Sequence, residues 1–201
     1  MIPSFEFGRH WSYSLHQDPK RLAFVLARYQ FAQNFIRPGS SILELGCSEG
    51  IGVPILTRDG NRYTGVDFDE SAIKTAQKNF PHEGTFFTKN FMNHHFGPFQ
   101  SIVSLDVIEH IDTKYENMYF ETIQKNLASG GTCVIGTPND TATPYASEAS
   151  KMGHINLYTQ ERLISVCKKH FKRVLPFGMN DELAHTGFSA MAHYIFAVGL
   201  N

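Results

Sequence analysis

The residues best able to do chemistry follow two predicted strands in the first third of this 201-residue chain. Residues 42–50 read ILELGCSEG, in which strand residues lead to an acid, a glycine and a loop that is glycine-rich again at Gly50 and Gly52. A second predicted strand, residues 64–67 (TGVD), ends in Asp67, which places a carboxylate where the hydroxyls of a ribose would lie. These residues predict a strand–turn–helix–strand unit that holds a nucleoside.

Other glycine-rich loops fit this spacing less well. A dinucleotide-binding loop needs G-x-G-x-x-G, but counting from Gly50 puts Ile55 at the third glycine. A P-loop ends in Gly-Lys-Ser/Thr, and no lysine occurs between Ser40 and Arg58. A plain tight turn would need only one or two glycines. Glycines without a phosphate-binding side chain suit a cofactor that has no phosphates and that backbone groups approach closely. We therefore interpret the loop as a site for S-adenosylmethionine.

The elements that must position these residues alternate along the chain. An amphipathic helix over residues 20–36 precedes the first strand, and five strand–helix alternations lead to two late strands near residues 173–177 and 193–198. This order predicts a doubly wound, Rossmann-like α/β fold whose mostly parallel seven-stranded sheet ends in an antiparallel C-terminal hairpin. Because no linker interrupts the pattern, residues 1–201 are expected to form a single domain.

The least regular segments are expected to recognise the substrate, because loops on a fixed sheet usually carry specificity. These segments are residues 1–18, which belong to an expected N-terminal helical cap over residues 1–38, and the expected acceptor-site loops at residues 139–158 and 178–192. These segments carry Trp11, Tyr13, Tyr145, Met152 and Met179.

Composition narrows the classes of partner. The chain has 18 Lys and Arg against 19 Asp and Glu, so its net charge of −1 gives no support to binding of nucleic acid or an anionic membrane. The cysteines Cys47, Cys133 and Cys167 form no zinc or disulfide pattern, which fits a reducing cytoplasm. The N-terminal residues lack signal-peptide architecture, and no apolar run is long enough to span a membrane. We therefore expect a cytoplasmic protein that acts on a small molecule; its oligomeric state stays open.

Four motifs, in order and spacing, resemble the class I S-adenosylmethionine-dependent methyltransferases over nearly the whole chain. Within that family the chain is most similar to the subgroup that includes the ubiquinone-biosynthesis O-methyltransferases. The motifs are ELGCSEG at residues 44–50, GVD at 65–67, SLDVIEH at 104–110, and the segments 130–139 and 154–159, the latter reading HINLYT. The resemblance implies methyl transfer from S-adenosylmethionine to a small-molecule acceptor, on oxygen, with S-adenosylhomocysteine as product. A catalytically silent cofactor-binding module and a methyltransferase acting on RNA are the alternatives.

The resemblance also implies which residues surround the cofactor. Asp67 would accept both ribose hydroxyls, although an acid here could instead cap the following helix. Ser48 replaces the middle glycine of the family's loop, which is tolerated if its backbone angles are ordinary, and Asn90 replaces a usual acid near adenine. Glu44 is expected to fix the loop, and for Asp106 a structural role stays equally open. The predicted cofactor-binding residues are Glu44, Gly46, Cys47, Ser48, Gly50, Asp67, Phe68, Asn90, Phe91 and Asp106.

A hydroxyl acceptor must lose a proton, and histidine commonly removes it. His110 and His154 are the candidate catalytic residues, because both fall in loops at the same predicted sheet edge. Asp106, Glu109 and His110 also form D-x-x-E-H, which together with His154 is similar to the divalent-metal site of the subgroup. Metal-free relatives carry Glu-His here as well, so a metal is an alternative and no metal ligand is assigned.

Overall fold

A central sheet organises residues 4–201, the part of the chain that the computed structural model describes. Its eight strands are β1 (Ser41–Leu45), β2 (Arg62–Asp67), β3 (Gly84–Thr88), β4 (Phe99–Leu105), β5 (Leu127–Pro138), β6 (Arg173–Asn180), β7 (Leu183–His185) and β8 (Tyr194–Leu200). Their order across the sheet is β3-β2-β1-β4-β5-β8-β6-β7.

Strands β1 to β5 run parallel, and β1 pairs with both β2 and β4. Ile42, Leu43 and Leu45 of β1 are fully buried, because helices cover both faces of the sheet. The chain proceeds from β1 outward to β3 and then returns to β4, so the strand order reverses between β1 and β4. In open α/β sheets ligands bind at this point, beyond the carboxyl ends of the strands.

The remaining strands complete the sheet on the other side. β8 pairs antiparallel with both β5 and β6, as the predicted C-terminal hairpin requires. The predicted fold class is thus confirmed, but the count of seven strands was wrong. A short eighth strand, β7, pairs with β6 after a turn in which Asp181 has a positive φ of 53°.

Seven α-helices within residues 4–201 connect and flank the strands. Asp69 caps one of them by accepting the Ser71 amide, and Thr159 caps another by accepting the Arg162 amide. The helices are α1 (Arg9–Gln17), α2 (Lys20–Gln33), α3 (Val53–Leu56), α4 (Glu70–Asn79), α5 (Glu116–Asn126), α6 (Glu148–Gly153) and α7 (Gln160–Cys167).

Two helices fall in the predicted N-terminal cap, of which residues 1–3 lie outside the described part of the chain. α2 ends at Gln33, three residues before the predicted end, because the amides from Asn34 to Ile36 bond three residues back instead of four. None of the helices described is long and apolar enough to cross a membrane.

Two apolar layers cover the sheet. On one face Ile42 and Val103 pack with residues of the first four helices, among them Trp11. On the other face Leu43 and Ile102 pack with residues of α5 and α7. Successive residues of a strand point to opposite faces, so β1 and β4 contribute to both layers and are held firmly where their tips form the site.

Candidate active site

The glycine loop follows β1 and lies against β2. The amides of Gly46 and Cys47 donate to the Val66 carbonyl oxygen, at 2.8 and 3.2 Å. Gly46 has a φ of 77°, and a Cβ there would collide with Val107. Gly50, with a φ of 78°, packs against Ala76 and Phe80 of the α4 region. Both positions therefore need glycine, for backbone conformation and for close packing.

Ser48 lies in the left-handed region, with a φ of 47°. The condition of ordinary backbone angles is therefore not met, and serine occupies a conformation that costs an L-residue about 1–2 kcal/mol. The Ser48 amide donates to Asp67 Oδ2 at 2.9 Å. This bond gives a physical reason for the strained turn, because it joins the loop to the tip of β2.

Asp67 stands at the end of β2, half-buried. Its Oδ1 accepts the Asp69 amide at 2.9 Å, and its Oδ2 accepts the Ser48 amide. The cap of α4 comes from Asp69, so the alternative role as helix cap does not fall to Asp67. Each carboxylate oxygen keeps a further acceptor site. Next to it Phe68 exposes 79% of its surface at the mouth of the loop.

The predicted adenine-side residues follow β3. Asn90 is exposed, and its Oδ1 accepts the Met92 amide at 3.0 Å, which uses one of the two acceptor sites of that oxygen. Phe91 is buried and packs edge-on against Tyr119. A cleft of about 300 Å³ lies beside them, lined by Phe87, Thr88, Lys89, His94, His95 and Phe96.

Glu44 and Cys47 are buried beneath the loop. Glu44 accepts the hydroxyl of Tyr29 at 2.6 Å and that of Tyr63. Burial raises the pKa of Glu44 to about 7 against the opposing effect of these two hydrogen bonds. Burial likewise raises the pKa of the Cys47 thiol well above its ordinary value. Glu44 thus braces the loop from below, and Cys47 fills space as an unreactive thiol.

Asp106 is held by a residue that the sequence interpretation missed. Arg28 of α2 donates from one terminal nitrogen to both carboxylate oxygens, at 2.9 and 2.8 Å. The guanidinium carbon also lies 3.9 Å from the centre of the Tyr194 ring. Arg28 falls at helical spacing from Val25 and Ala32 on the buried side of α2. A cation on an apolar face requires a partner, and this was the signal available in the sequence.

Glu109, His110 and His154 converge at the tip of β4. One ligand atom of each lies within 4.8 Å of the others. The two imidazole rings are 5.1 Å apart, and His110 Nδ1 lies 2.9 Å from the Gly153 carbonyl oxygen. That carbonyl can only accept, so Nδ1 carries the proton and Nε2 has a free lone pair. The sequence prediction that these two histidines meet at one sheet edge agrees with this geometry.

Electrostatics keeps His154 and Glu109 in their neutral forms. Burial and the neighbouring His110 lower the pKa of His154, against the attraction of Asp106. Burial, then the charge of Asp106, raises the pKa of Glu109 to about 8. Glu109 Oε2 accepts the Thr137 hydroxyl at 3.0 Å. A neutral imidazole beside a crevice can take up a proton.

The donor set at these three residues fits a divalent cation, with one carboxylate oxygen and two imidazole nitrogens. The carbonyl bond to His110 Nδ1 also resembles the outer-shell contact that orients a metal-binding histidine. Asp106 lies outside this group, and its carboxylate is paired with Arg28. The D-x-x-E-H motif therefore supplies two candidate ligands, Glu109 and His110, instead of three.

Among the buried polar atoms without a partner within residues 4–201, two point to a polar ligand at the tip of β4. Arg28 Nε and Glu109 Oε1 are buried without a hydrogen-bond partner. A buried donor or acceptor left unpaired costs about 1–3 kcal/mol. Both belong to the side chains that surround Asp106, so a ligand that forms hydrogen bonds with both atoms would satisfy them.

Comparisons with known proteins agree with this geometry. A family profile described as "Methyltransferase domain" matches residues 14–172. The ubiquinone biosynthesis O-methyltransferase of Caulobacter sp. (strain K31) is 30% identical over 136 residues, which cover 62% of this chain and 53% of that protein. The chain spans about half the length of the curated relatives it matches.

Solved structures share the fold. A TehB-like SAM-dependent methyltransferase from Corynebacterium glutamicum superposes with a TM-score of 0.70 at 18% identity, covering 94% of this chain and 97% of that one. The N-methyltransferase NodS from Bradyrhizobium japonicum WM9, in complex with S-adenosyl-L-homocysteine, gives a TM-score of 0.64 at 18% identity, covering 94% and 91%.

Proposed function

The chain belongs to the methyltransferase domain family, and on that premise we propose that it transfers the methyl group of S-adenosylmethionine to an oxygen of a small-molecule acceptor. The observation that carries the proposal is the pairing of the glycine loop with Asp67, through the Ser48 amide, at the reversal of strand order. S-adenosylhomocysteine would be the second product.

The nucleoside would lie across the tips of β1, β2 and β3. Asp67 would accept the two ribose hydroxyls at the acceptor sites that its backbone contacts leave open. Asn90 and the backbone of Phe91 would hold the adenine, with Phe68 beside the ring. Gly46 would allow the close approach of the sulfonium end, because no side chain intervenes there.

The amino-acid end would lie at Arg28 and Asp106. Arg28 Nε is buried and unpaired, so it can donate to the carboxylate of the ligand. Asp106 keeps acceptor capacity for the ammonium group, since a carboxylate has about four acceptor sites and Arg28 uses two. The negative carboxylate of the cofactor would thus face Arg28, and its positive ammonium group would face Asp106.

Methyl transfer needs alignment and a proton acceptor. The acceptor oxygen attacks the methyl carbon, the carbon–sulfur bond breaks, and its electron pair stays on sulfur. Holding the two reactants in line can contribute about 7–11 kcal/mol. The hydroxyl proton would go to His154, whose lowered pKa keeps it neutral, or to His110 Nε2. A positioned base contributes about 10²–10⁴-fold in rate.

A divalent metal is compatible with this site but is not needed by the proposal. Glu109, His110 and His154 would hold it. Such a cation, when bound, would lower the pKa of an acceptor hydroxyl and orient a vicinal diol. Activity that survives treatment with EDTA would show that the reaction does not require a metal at Glu109, His110 and His154.

Two observations support an apolar acceptor methylated on oxygen. Several curated relatives are named ubiquinone biosynthesis O-methyltransferase. The segments predicted as acceptor-site loops also expose large apolar side chains. These are Tyr145, Met152, Ile155, Leu183, Phe188 and Met191.

Calorimetric titration tests the proposal directly. The protein should bind S-adenosylmethionine and S-adenosylhomocysteine but not NAD, and Asp67→Ala should weaken binding at least tenfold because two charge-assisted hydrogen bonds are lost. Asp69→Asn is the matched control, since it removes a nearby charge and keeps the helix cap. Absence of binding to the unmodified protein would reject the proposed function. Equal affinities for Asp67→Ala and the unmodified protein would reject the assignment of Asp67.

A further inference from the structure

Glu49 of the glycine loop is bound to the first helix of the chain. Its carboxylate accepts the backbone amides of His10 at 2.8 Å and Trp11 at 3.2 Å, and only 3% of the residue is exposed. The partners are 39 and 38 residues apart in sequence. A side chain of the predicted cofactor loop thus reaches the start of α1.

The N-terminus of α1 lacks a cap of its own. Gly8 precedes the helix without a side-chain hydrogen bond, and the first turn contains no acid. The first amides of a helix have no partner within the helix and carry a partial positive charge. The Glu49 carboxylate satisfies two of them with charge-assisted bonds, so the docked position of α1 depends on the loop.

The other polar contacts of this segment described in the structure are weaker or unfavourable, whereas Trp11 packs in the apolar layer on one face of the sheet. Glu6 is joined to Lys78 and Asn79 by exposed contacts, and exposed ion pairs contribute little. The Trp11 indole N–H is buried without an acceptor, which disfavours the docked state. Among the polar contacts of docked α1, those to Glu49 therefore stabilise it most, beside the apolar packing of Trp11.

The conformation of the same loop would depend on the cofactor. Glu49 follows Ser48, whose amide binds Asp67, and precedes Gly50. A ligand that fixes Asp67 and this turn also fixes the direction of the Glu49 side chain. We propose that Glu49 is a positioning residue that couples occupation of the cofactor site to docking of α1. This inference rests on the proposed function, because the ligand that fixes the loop is S-adenosylmethionine or its product.

Trp11 supplies the readout, since the chain has a single tryptophan and it lies in α1 next to the bonded amides. S-adenosylhomocysteine should shift the Trp11 emission of the unmodified protein to shorter wavelength and slow hydrogen exchange at the His10 and Trp11 amides. Coupling is reciprocal, so loss of the Glu49 bonds to α1 must also lower the affinity for the ligand. Glu49→Ala should lower the affinity for S-adenosylhomocysteine about tenfold and abolish the emission shift.

Gly8→Ala breaks the same contact from the other side. A Cβ at Gly8 would collide with the Glu49 carboxyl group, whereas the φ of −74° is ordinary for alanine. The two substitutions should be non-additive, so that Gly8→Ala has no further effect on affinity in Glu49→Ala. Glu49→Gln, which keeps one acceptor oxygen, should restore part of the affinity and of the emission shift. Glu83→Ala, an exposed acid before β3, is the control and should leave both unchanged.

The outcomes separate the two proposals. If S-adenosylhomocysteine does not bind the unmodified protein, the proposed function fails. If it binds but the Trp11 emission and amide exchange do not respond, the coupling through Glu49 is wrong and the proposed function stands. The same conclusion follows if Glu49→Ala and Gly8→Ala act additively.

Discussion

At Ser48 the chain holds a serine in a backbone conformation that glycine adopts without strain. Its φ of 47° is kept because the amide binds Asp67 and the loop on either side is packed. Strain of this kind persists where the surrounding structure determines it, often at functional sites. Serine in place of glycine at residue 48 thus lowers stability, but the hydrogen bond from its amide to Asp67 is retained.

Replacing Ser48 by glycine should therefore stabilise the protein. Ser48→Gly relieves the left-handed conformation, and the gain exceeds the greater entropy of glycine in the unfolded chain, for a net of about 1 kcal/mol in the free energy of unfolding. Urea denaturation measures this value. Ser48→Ala is the matched control, since it removes the hydroxyl without relieving the backbone. Equal stability of the glycine and alanine variants would contradict the account.

At the scale of elements, α2 is fastened to the strand tips by two side chains. Tyr29 reaches Glu44 at the end of β1, and Arg28 reaches Asp106 after β4. The N-terminal helices are thereby part of the site and not only a cover for the sheet. Arg28 also carries the unpaired nitrogen that we propose binds the amino-acid end of the cofactor.

Arg28→Lys should lower the affinity for the amino-acid end of the cofactor and not for its nucleoside end. Lysine keeps the charge but loses the planar fork of donors, so affinity for S-adenosylhomocysteine should fall about tenfold or more. Affinity for 5′-methylthioadenosine, which lacks the amino-acid end, should not change. Arg21→Lys on the exposed side of α2 is the control. Calorimetry with both ligands checks the prediction. An equal loss of affinity for the two ligands would show that Arg28 does not bind the amino-acid end.

The sequence predicted elements where the hydrophobic pattern is local. β1 was predicted from its apolar residues, because nearly all of its residues are buried by helices on both faces. α1 was not predicted, since the acid that caps it lies about 40 residues away in Glu49. β7 is three residues long and pairs only at its edge, which leaves no pattern to detect.

The site was predictable to a similar extent. Asp67 and the glycines follow from spacing along one βα unit. The bond between Arg28 and Asp106 joins residues 78 positions apart and depends on how α2 packs, which spacing does not encode. The resemblance to methyltransferases is confirmed at the level of the family. The roles of the individual residues remain predictions.

At the scale of the whole molecule, burial of Glu44 links stability to pH. Its pKa is raised from 4.5 to about 7, so the folded state favours the protonated form. The stability that it contributes is complete below pH 4.5 and is lost as the pH rises through about 7. A shift of this size corresponds to about 3 kcal/mol.

Glu44→Gln should remove this dependence. The free energy of unfolding of the variant minus that of the unmodified protein should rise by roughly 3 kcal/mol between pH 4.5 and pH 8. Urea denaturation at a series of pH values measures the difference. Glu83→Gln, at an exposed acid, is the control for the substitution itself, and a flat difference for Glu44→Gln would contradict the raised pKa of Glu44.

The position of β8 has a consequence for biosynthesis. β8 is the last described strand in chain order, yet it lies inside the sheet between β5 and β6. Until Tyr194–Leu200 have been translated, β5 keeps an open edge, and β6 with β7 is a hairpin with no place to attach. Unpaired edges invite association with other chains, so the nascent polypeptide passes through a stage that is vulnerable to aggregation before its final strand inserts.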